Sequence, residues 1–323
     1  MNKIFRSIIT PFFAIIALLA VGGAEAPGTG TAPLEGYVYV GEWGWQTPSE
    51  NQFSLPRGIG VAPNGNIYVA DSQHDHVQYF TTSGSFLGSW GVFGYDEGEF
   101  RVPVDVAVGG NGVVYVVDRG NQRIQYFTPS GSFLGEWGSR GHKDGEFNNV
   151  DAVAVAPNGD IYVVDCWNFR IQYFTPAGSF LGKWGKRGSR DDEFGYPTSV
   201  AVAPNGLIYV TDAESGCVKY FTATGSFIGK WGSEGSGGVH FKFPAGVAVA
   251  SNGAVYVVDA ANANIQYFTP TGSLLGMWGP DVYGYGEFNE PEGIAVAPDG
   301  TVFVADTCHD RILYFRPVGK TNK

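Results

Sequence analysis

A repeat of 47 residues runs through most of the sequence and restricts the possible folds more than any other feature. Six tryptophans mark it, at Trp43, Trp90, Trp137, Trp184, Trp231 and Trp278. Six aspartates follow the same interval, at Asp71, Asp118, Asp165, Asp212, Asp259 and Asp306. Because no residue is inserted or deleted between copies, we expect one supersecondary unit repeated in register, with no separate second domain.

Each unit contains four short segments typical of β-strands. In residues 101–147 these are VDVAV, VVYVVD, RIQYF and FLGEWG, and the turn sequences GNG and TPSGS separate strands within the unit. Asn and Gly tolerate the positive φ angles that tight turns require. Four strands at this period predict one blade of a β-propeller.

The first and last copies are incomplete in complementary ways. Residues 37–44 contain a strand and a Trp-Gly pair, whereas residues 289–320 contain three strands and lack the Trp-Gly strand. We therefore predict an all-β six-bladed propeller over residues 37–320, made of four-stranded antiparallel blades and closed by the N-terminal strand, which completes the C-terminal blade. Such closure leaves no exposed sheet edge at the seam. Residues 27–36 are a short linker and residues 321–323 a tail.

Residues 1–26 have the pattern of a secretory signal peptide. Lys3 and Arg6 precede an apolar run, and Ala24 and Ala26 are small residues suited to cleavage. An uncleaved membrane anchor is the alternative. We expect a secreted or cell-surface (envelope) monomer, whose sole membrane contact would be such an anchor.

Two repeated motifs resemble a known family. The segment LPRGIGVAPNGNIYVAD at residues 55–71 and the segment NQRIQYF at residues 121–127 are similar to NHL repeats of six-bladed propellers. The family includes peptide-processing lyases, ligand-sensing ectodomains and RNA-binding domains, so the resemblance implies a fold and does not select an activity.

Charge and missing motifs narrow the function. The chain has 20 basic and 31 acidic residues, a net charge of −11. An acidic surface repels nucleic acid, so we expect no such partner. The sequence contains no G-x-S-x-G, H-E-x-x-H, P-loop or C-x-x-C motif. These features favour a non-enzymatic protein.

Chain direction divides the loops between two faces. The loops between second and third strands share one face with the blade-to-blade connections. Their sequences differ between copies, and we call this side the variable face. Loops on a rigid scaffold commonly bind ligands. The predicted binding residues, for a protein, peptide or glycan, are Trp45, Phe93, Tyr95, Trp167, Phe169, Tyr283, Tyr285 and Arg57. The alternative is that the aromatic rings pack the connections onto the blades.

The axial mouth of the propeller is the second candidate site, and it would hold a metal. Asp105, Asp151 and Glu292 lie at the start of inner strands and would hold Ca²⁺ or another divalent metal, with Arg57 as counter-charge. Salt-bridged rim residues are the alternative. Some six-bladed sugar-lactone hydrolases use such a carboxylate-bound metal, and the resemblance to six-bladed propellers implies a similar site here. Peptide-amidating lyases of the family use histidines near the start of strands, and this chain has none there. A metal-dependent extracellular hydrolase or lyase is the alternative function.

Other side chains carry expectations as well. His74, His76 and His309 would approach one another at the seam of the ring and bind a transition metal, unless they are ordinary exposed loop histidines. Cys166 and Cys217 lie in neighbouring blades, and whether they form a disulfide is left open. The repeated tryptophans are expected to pack between blades. The repeated aspartates are expected to accept backbone N–H groups from the loop that follows each of them.

Overall fold

A computed structural model describes residues 36–44, 52–279 and 287–318. Within these ranges the strands form six four-stranded antiparallel sheets, as predicted. The predicted leader at residues 1–26, most of the predicted linker, the predicted tail and the candidate residues Trp45, Tyr283 and Tyr285 lie outside the described residues. No helix in the described part of the chain is long and apolar enough to cross a membrane.

The strands follow the repeat. Strand β1 is Tyr37–Trp43. Blade one has β2 (Pro56–Val61), β3 (Ile67–Asp71), β4 (His76–Phe80) and β5 (Phe86–Trp90). Blade two has β6 (Pro103–Val108), β7 (Val114–Asp118), β8 (Arg123–Phe127) and β9 (Phe133–Trp137). Blade three has β10 (Val150–Val155), β11 (Ile161–Asp165), β12 (Arg170–Phe174) and β13 (Phe180–Trp184).

The remaining blades follow in the same order. Blade four has β14 (Pro197–Val202), β15 (Ile208–Asp212), β16 (Cys217–Phe221) and β17 (Phe227–Trp231), and a short parallel pair follows it, β18 (Ser233–Glu234) and β19 (His240–Phe241). Blade five has β20 (Pro244–Val249), β21 (Val255–Asp259), β22 (Asn264–Phe268) and β23 (Leu274–Trp278). Blade six has β24 (Pro291–Val296), β25 (Val302–Asp306) and β26 (Arg311–Pro317).

Blade six takes its fourth strand from the other end of the chain. The sheet order is β1-β26-β25-β24, and β1 pairs antiparallel with β26, from Tyr37 opposite Pro317 to Trp43 opposite Ile312. The backbone N–H of Val318 also donates to the carbonyl of Gly36, at 2.9 Å. The outer strand missing from the last repeat is therefore supplied by the segment before the first.

The hydrophobic core lies between blades. The second strand of every blade is buried at all five positions, as in VYVVD of β7. The core divides into six clusters, and each joins residues of two neighbouring blades. The cluster at the seam includes Phe80 of blade one and Phe303 of blade six.

The tryptophans pack between blades, which confirms the expectation. The ring of Trp90 in blade one lies 5.6 Å from the ring of Phe127 in blade two. A Cβ atom on Gly131, whose φ is +87°, would come within 2.6 Å of the Trp90 ring. Only glycine fits this turn, because it must both take a positive φ and leave room for the indole.

Short 3-10 helices follow the second strand in four blades. They are Arg119–Asn121, Cys166–Asn168, Ala260–Asn262 and Thr307–His309, named η1 to η4. In three connections, isolated parallel bridges close the loop on itself, between Phe93 and Phe100, Arg140 and Phe147, and Arg187 and Phe194. Both kinds of segment build the variable face.

Candidate functional site

The variable face is organised around a buried aspartate at the end of the second strand of each blade. All six of these aspartates have no exposed surface. In blade two, Asp118 Oδ1 accepts the backbone N–H of Arg101, at 2.8 Å, and in blade three Asp165 Oδ1 accepts that of Asn148, at 2.8 Å. The expectation that the following loop supplies these donors is wrong. The antiparallel pairing of first and second strands places the preceding connection beside the aspartate.

A side chain of the loop after the aspartate and one at the start of the third strand complete this cluster. In blade two, Arg123 Nε lies 2.8 Å and Asn121 Nδ2 also 2.8 Å from Asp118 Oδ2. Burial raises the pKa of Asp118, although the Arg101 N–H and the Arg123 guanidinium lower it. Arg123 and Gln125 also donate to backbone carbonyls of the preceding connection, at Tyr95, Asp96 and Glu99. The ion pair therefore fixes the connection to the blade.

Three aromatic residues on these anchored loops remain exposed. Phe93 and Tyr95 are 61% and 63% exposed, and their rings lie 6.1 Å apart in the connection before blade two. Trp167, in η2 of blade three, is 44% exposed. Phe169 is only partly buried and packs against a core cluster, with the Arg187 guanidinium 5.3 Å from its ring. The packing alternative thus fits Phe169, and the other three rings face solvent.

Two cavities lie on opposite faces of the propeller. One, of about 530 Å³, opens on the variable face at blade four and is lined by Arg187, Gly188, Ser189, Gly195, Glu214 and Ser215. The other, of about 310 Å³, lies on the opposite face of the propeller, where the turns between first and second strands are nearly alike in all copies. Its lining includes Val155, Pro157, Val202 and Pro298. The cavity at blade four shares its face with the exposed aromatic rings.

The carboxylates at the start of the inner strands are all engaged. Glu292 forms an ion pair with Arg57, at 3.1 Å, and Asp151 forms one with Arg119 of η1. Asp105 accepts the backbone N–H groups of Val106 and Val153, each at 2.9 Å. Burial raises the pKa of Asp105 to about 7. Burial and the nearby Arg57 charge lower the pKa of Arg119 to about 10.

These engaged carboxylates do not fit a hard cation. Calcium needs six to eight oxygen ligands, and each of the three side chains already has its own cationic or N–H partner. They do not share a group of metal-ligating atoms among the described residues. The expected counter-charge of Arg57 does appear, directed at Glu292. Cys166, Cys217 and Cys308 are free thiols.

The structure separates the three candidate histidines. His74 and His76 both meet the carboxylate of Asp71, whereas His309 lies 2.8 Å from Asp306 of blade six. Within the described ranges, the group of three ligating side chains with donor atoms inside 4.8 Å is Asp71, His74 and His76. Sequence reasoning gave the aspartate a structural role alone, although the spacing D-x-x-H-x-H was visible.

Comparisons with known proteins agree with this architecture. The model described as "NHL repeat" matches residues 53–80, 100–127, 147–174, 194–221, 241–268 and 288–315. A search of curated protein sequences finds no match.

Solved structures similar to this chain include two lyases and a lactonase. A streptogramin B lyase has a TM-score of 0.63 at 16% identity, covering 89% of this chain and 100% of its own. A virginiamycin B lyase from Staphylococcus aureus has a TM-score of 0.60 at 15% identity, and the match covers 87% of this chain and 100% of the lyase chain. A gluconolactonase from Xanthomonas campestris has a TM-score of 0.62 at 14% identity, and the match covers 83% of this chain and 87% of the lactonase chain. At such identities the likeness concerns the fold alone.

Proposed function

The chain belongs to the NHL-repeat family, and from that premise we propose that it is an exported, non-enzymatic recognition scaffold. Its variable face binds a protein, peptide or glycan. The observation that carries the proposal is the exposure of three aromatic rings on anchored loops. Phe93 and Tyr95 lie in the connection that Arg123 holds, and Trp167 lies in η2, where Asn168 donates to Asp165.

Aromatic side chains suit this role for a physical reason. Tyrosine and tryptophan offer a large apolar area with few rotatable bonds, so little conformational entropy is lost on binding. They are also enriched among the residues that dominate binding energies. Because Arg123 fixes the backbone around Tyr95, the rings are held ready for a ligand instead of being ordered by it.

Export is part of the same proposal. It is supported by the signal-like pattern of residues 1–26 and by the acidic composition, which disfavours nucleic acid as a partner. A ligand outside the cell is consistent with both properties.

The alternative, a metal-dependent hydrolase or lyase acting at Asp105, Asp151 and Glu292, has weaker support. Two of these carboxylates form ion pairs with arginines, and the third accepts hydrogen bonds from backbone N–H groups. The solved lyases and the lactonase share the fold, and a fold accommodates many functions.

Binding arrays with matched variants test the scaffold. Peptide and glycan arrays would first identify a ligand for the wild-type protein. We expect Trp167→Ala and Tyr95→Ala each to weaken capture by about 30-fold, which corresponds to about 2 kcal/mol for a dominant contact. Leu134→Ala is the control, because Leu134 is 47% exposed but lies in the outer strand β9. Equal loss in this control would contradict the proposal.

Variants of the carboxylates distinguish the recognition scaffold from the metal-dependent enzyme. The scaffold predicts that Asp151→Ala and Glu292→Ala leave ligand capture within about twofold of wild type, well below the tenfold change that 1.4 kcal/mol would cause. Turnover of an array ligand that depends on added Ca²⁺ and disappears in both variants would favour the enzyme instead.

A further inference from the structure

Blade one surrounds its buried aspartate in a way that differs from the other blades. Asp71 Oδ1 accepts the backbone N–H of Ser54, at 2.8 Å. Asp71 Oδ2 lies 2.9 Å from His74 Nδ1, 3.0 Å from His76 Nε2 and 2.9 Å from Gln78 Nε2. One fully buried carboxylate oxygen thus meets two imidazoles and an amide.

Four of the other blades place a permanent cation at this point. Arginine follows the aspartate by five residues in three blades, with Nε–Oδ2 distances of 2.7 to 2.8 Å, at Arg123, Arg170 and Arg311. Lysine takes the role in blade four, with Lys219 Nζ 3.0 Å from Asp212 Oδ2. Blade one has neither Arg nor Lys there: His76 stands at the first of these positions and Gln78 at the second, and His74 follows the aspartate by three residues.

Blade five shows that an aspartate without a cation can be satisfied by other means. Asp259 accepts the backbone N–H groups of Lys242 and Phe243, and Asn262 Nδ2 donates to it at 2.6 Å. The residue two positions further is Asn264. Histidines are therefore not required for folding at these two positions. Blade six has His309 at the first of them, beside Arg311, so the feature peculiar to blade one is a second imidazole, His76, in place of the cation.

The donor atoms of blade one are close to the spacing that zinc requires. A tetrahedral ion at about 2.0–2.1 Å from each ligand places the ligand atoms about 3.3 Å apart. Asp71 Oδ2 is 2.9 and 3.0 Å from the two imidazole nitrogens, and all three donor atoms lie within 4.8 Å of one another. Lengthening the two distances from Asp71 Oδ2 by a few tenths of an ångström would match this spacing. His74 is nearly half exposed, so it has room to move.

We propose that Asp71, His74 and His76 form a binding site for Zn²⁺ on the variable face. Two imidazoles and one carboxylate suit this borderline ion better than calcium, which prefers oxygen ligands. Gln78 donates to Asp71 Oδ2 and orients the carboxylate from the second coordination shell. Because the His74 side chain is nearly half exposed, a water molecule would complete the coordination of the ion. The ion supplies the positive charge that arginine or lysine supplies in four other blades.

Zinc titration of the purified full chain tests the site. We expect one Zn²⁺ per chain in competition with a chromophoric chelator, and a cobalt-substituted protein with the visible absorption of a four-coordinate ion. Bound zinc should also raise the melting temperature, because it binds the folded state. None of these measurements depends on the proposed recognition function.

Matched variants come from the repeat itself. His74→Asn with His76→Asn installs the Asp-Asn-Asn set of blade five, so it should fold with the wild-type circular dichroism spectrum. We expect it to lose zinc affinity by at least about 100-fold, because loss of second-shell partners alone costs about 10- to 100-fold. His309→Asn is the control and should bind zinc as the wild type does.

Three results would overturn the site. The first is a wild-type protein that binds no zinc at millimolar concentration. The second is a folded double variant that keeps stoichiometric binding. The third is a loss of zinc in His309→Asn as large as that in the double variant.

Discussion

Buried charges in this fold are compensated from different positions in different blades. In blades two and three the residue opposite the aspartate on the next strand is arginine, and Gln125 or Gln172 follows two positions later. In blade four the residue opposite Asp212 is Cys217, and Lys219 replaces the glutamine. Lys219 is almost fully buried and also donates to the carbonyl of Glu193. The cation has changed position while its target is retained.

This exchange predicts the effect of removing the lysine. Lys219→Gln should lower the free energy of unfolding by about 3 kcal/mol, because it leaves Asp212 buried without a cation. Adding Cys217→Arg restores the arrangement of blade two and should recover most of the loss. Urea denaturation at neutral pH measures both.

The control for this pair is an exposed ion pair on the same blade. Lys230 lies 2.8 Å from Asp191, and both side chains are exposed. Lys230→Gln should change stability by less than about 1 kcal/mol, as expected for surface pairs. A double variant no more stable than Lys219→Gln would contradict the exchange.

Individual side chains were the least predictable part of the structure. The six buried aspartates were visible as a repeat, but their backbone donors lie 17 residues earlier, and only strand pairing brings them close. Asp71 joins His74 and His76 within one hairpin, whereas the expected partner His309 belongs to another aspartate. Asp151 meets Arg119 across two blades, which no spacing in the sequence indicates.

Strand β1 joins three blades through its aromatic side chains. It pairs with β26 of blade six. At its start, Tyr37 stacks on Trp278 of blade five at 4.7 Å and shares a 2.6 Å hydrogen bond with the hydroxyl of Tyr256. At its end, Trp43 lies 5.8 Å from Phe80 of blade one. One seven-residue element therefore contacts both neighbours of its own blade.

Removing the first of these anchors should be costly. Tyr37→Ala should lower the free energy of unfolding by about 3–5 kcal/mol, the usual cost of removing a large buried aromatic side chain. Val40→Ala, at an exposed position of the same strand, should change it by less than about 0.5 kcal/mol. Chemical denaturation followed by tryptophan fluorescence compares the two. Equal effects would show that β1 is not held by Tyr37.

The strands themselves were the most predictable level. An uninterrupted 47-residue interval fixes strand number, order and register together, since every copy must fold alike. The parallel bridges within connections were not predicted, because they involve one residue pair and leave no pattern in the sequence.

The complete ring should unfold as one unit, because among the described residues every core cluster is shared between two blades. Each of the six clusters is shared by two neighbours, and one of them joins blade six to blade one. Linear repeat arrays lose their terminal repeats first, since an end repeat has one neighbour. A ring with a shared cluster at every boundary has no such end.

Equivalent substitutions at distant boundaries test this cooperativity. Ile171→Ala in blade three and Ile312→Ala beside the seam remove fully buried side chains three repeats apart. Each should shift one common transition by about 2–5 kcal/mol, seen alike by circular dichroism and fluorescence. A second transition in Ile312→Ala alone would show that the seam opens independently.

The antiparallel pairing of β1 with β26 also determines how the protein is presented when it is tethered. Tyr37 begins β1 opposite Pro317, at the side where the turns are uniform, and the strand ends at the variable face. A lipid anchor, wall linker or fusion partner attached upstream of Gly36 or downstream of Val318 leaves from this same outer edge. A tether that starts at Gly36 or at Val318 therefore starts on the side opposite the loops of the variable face.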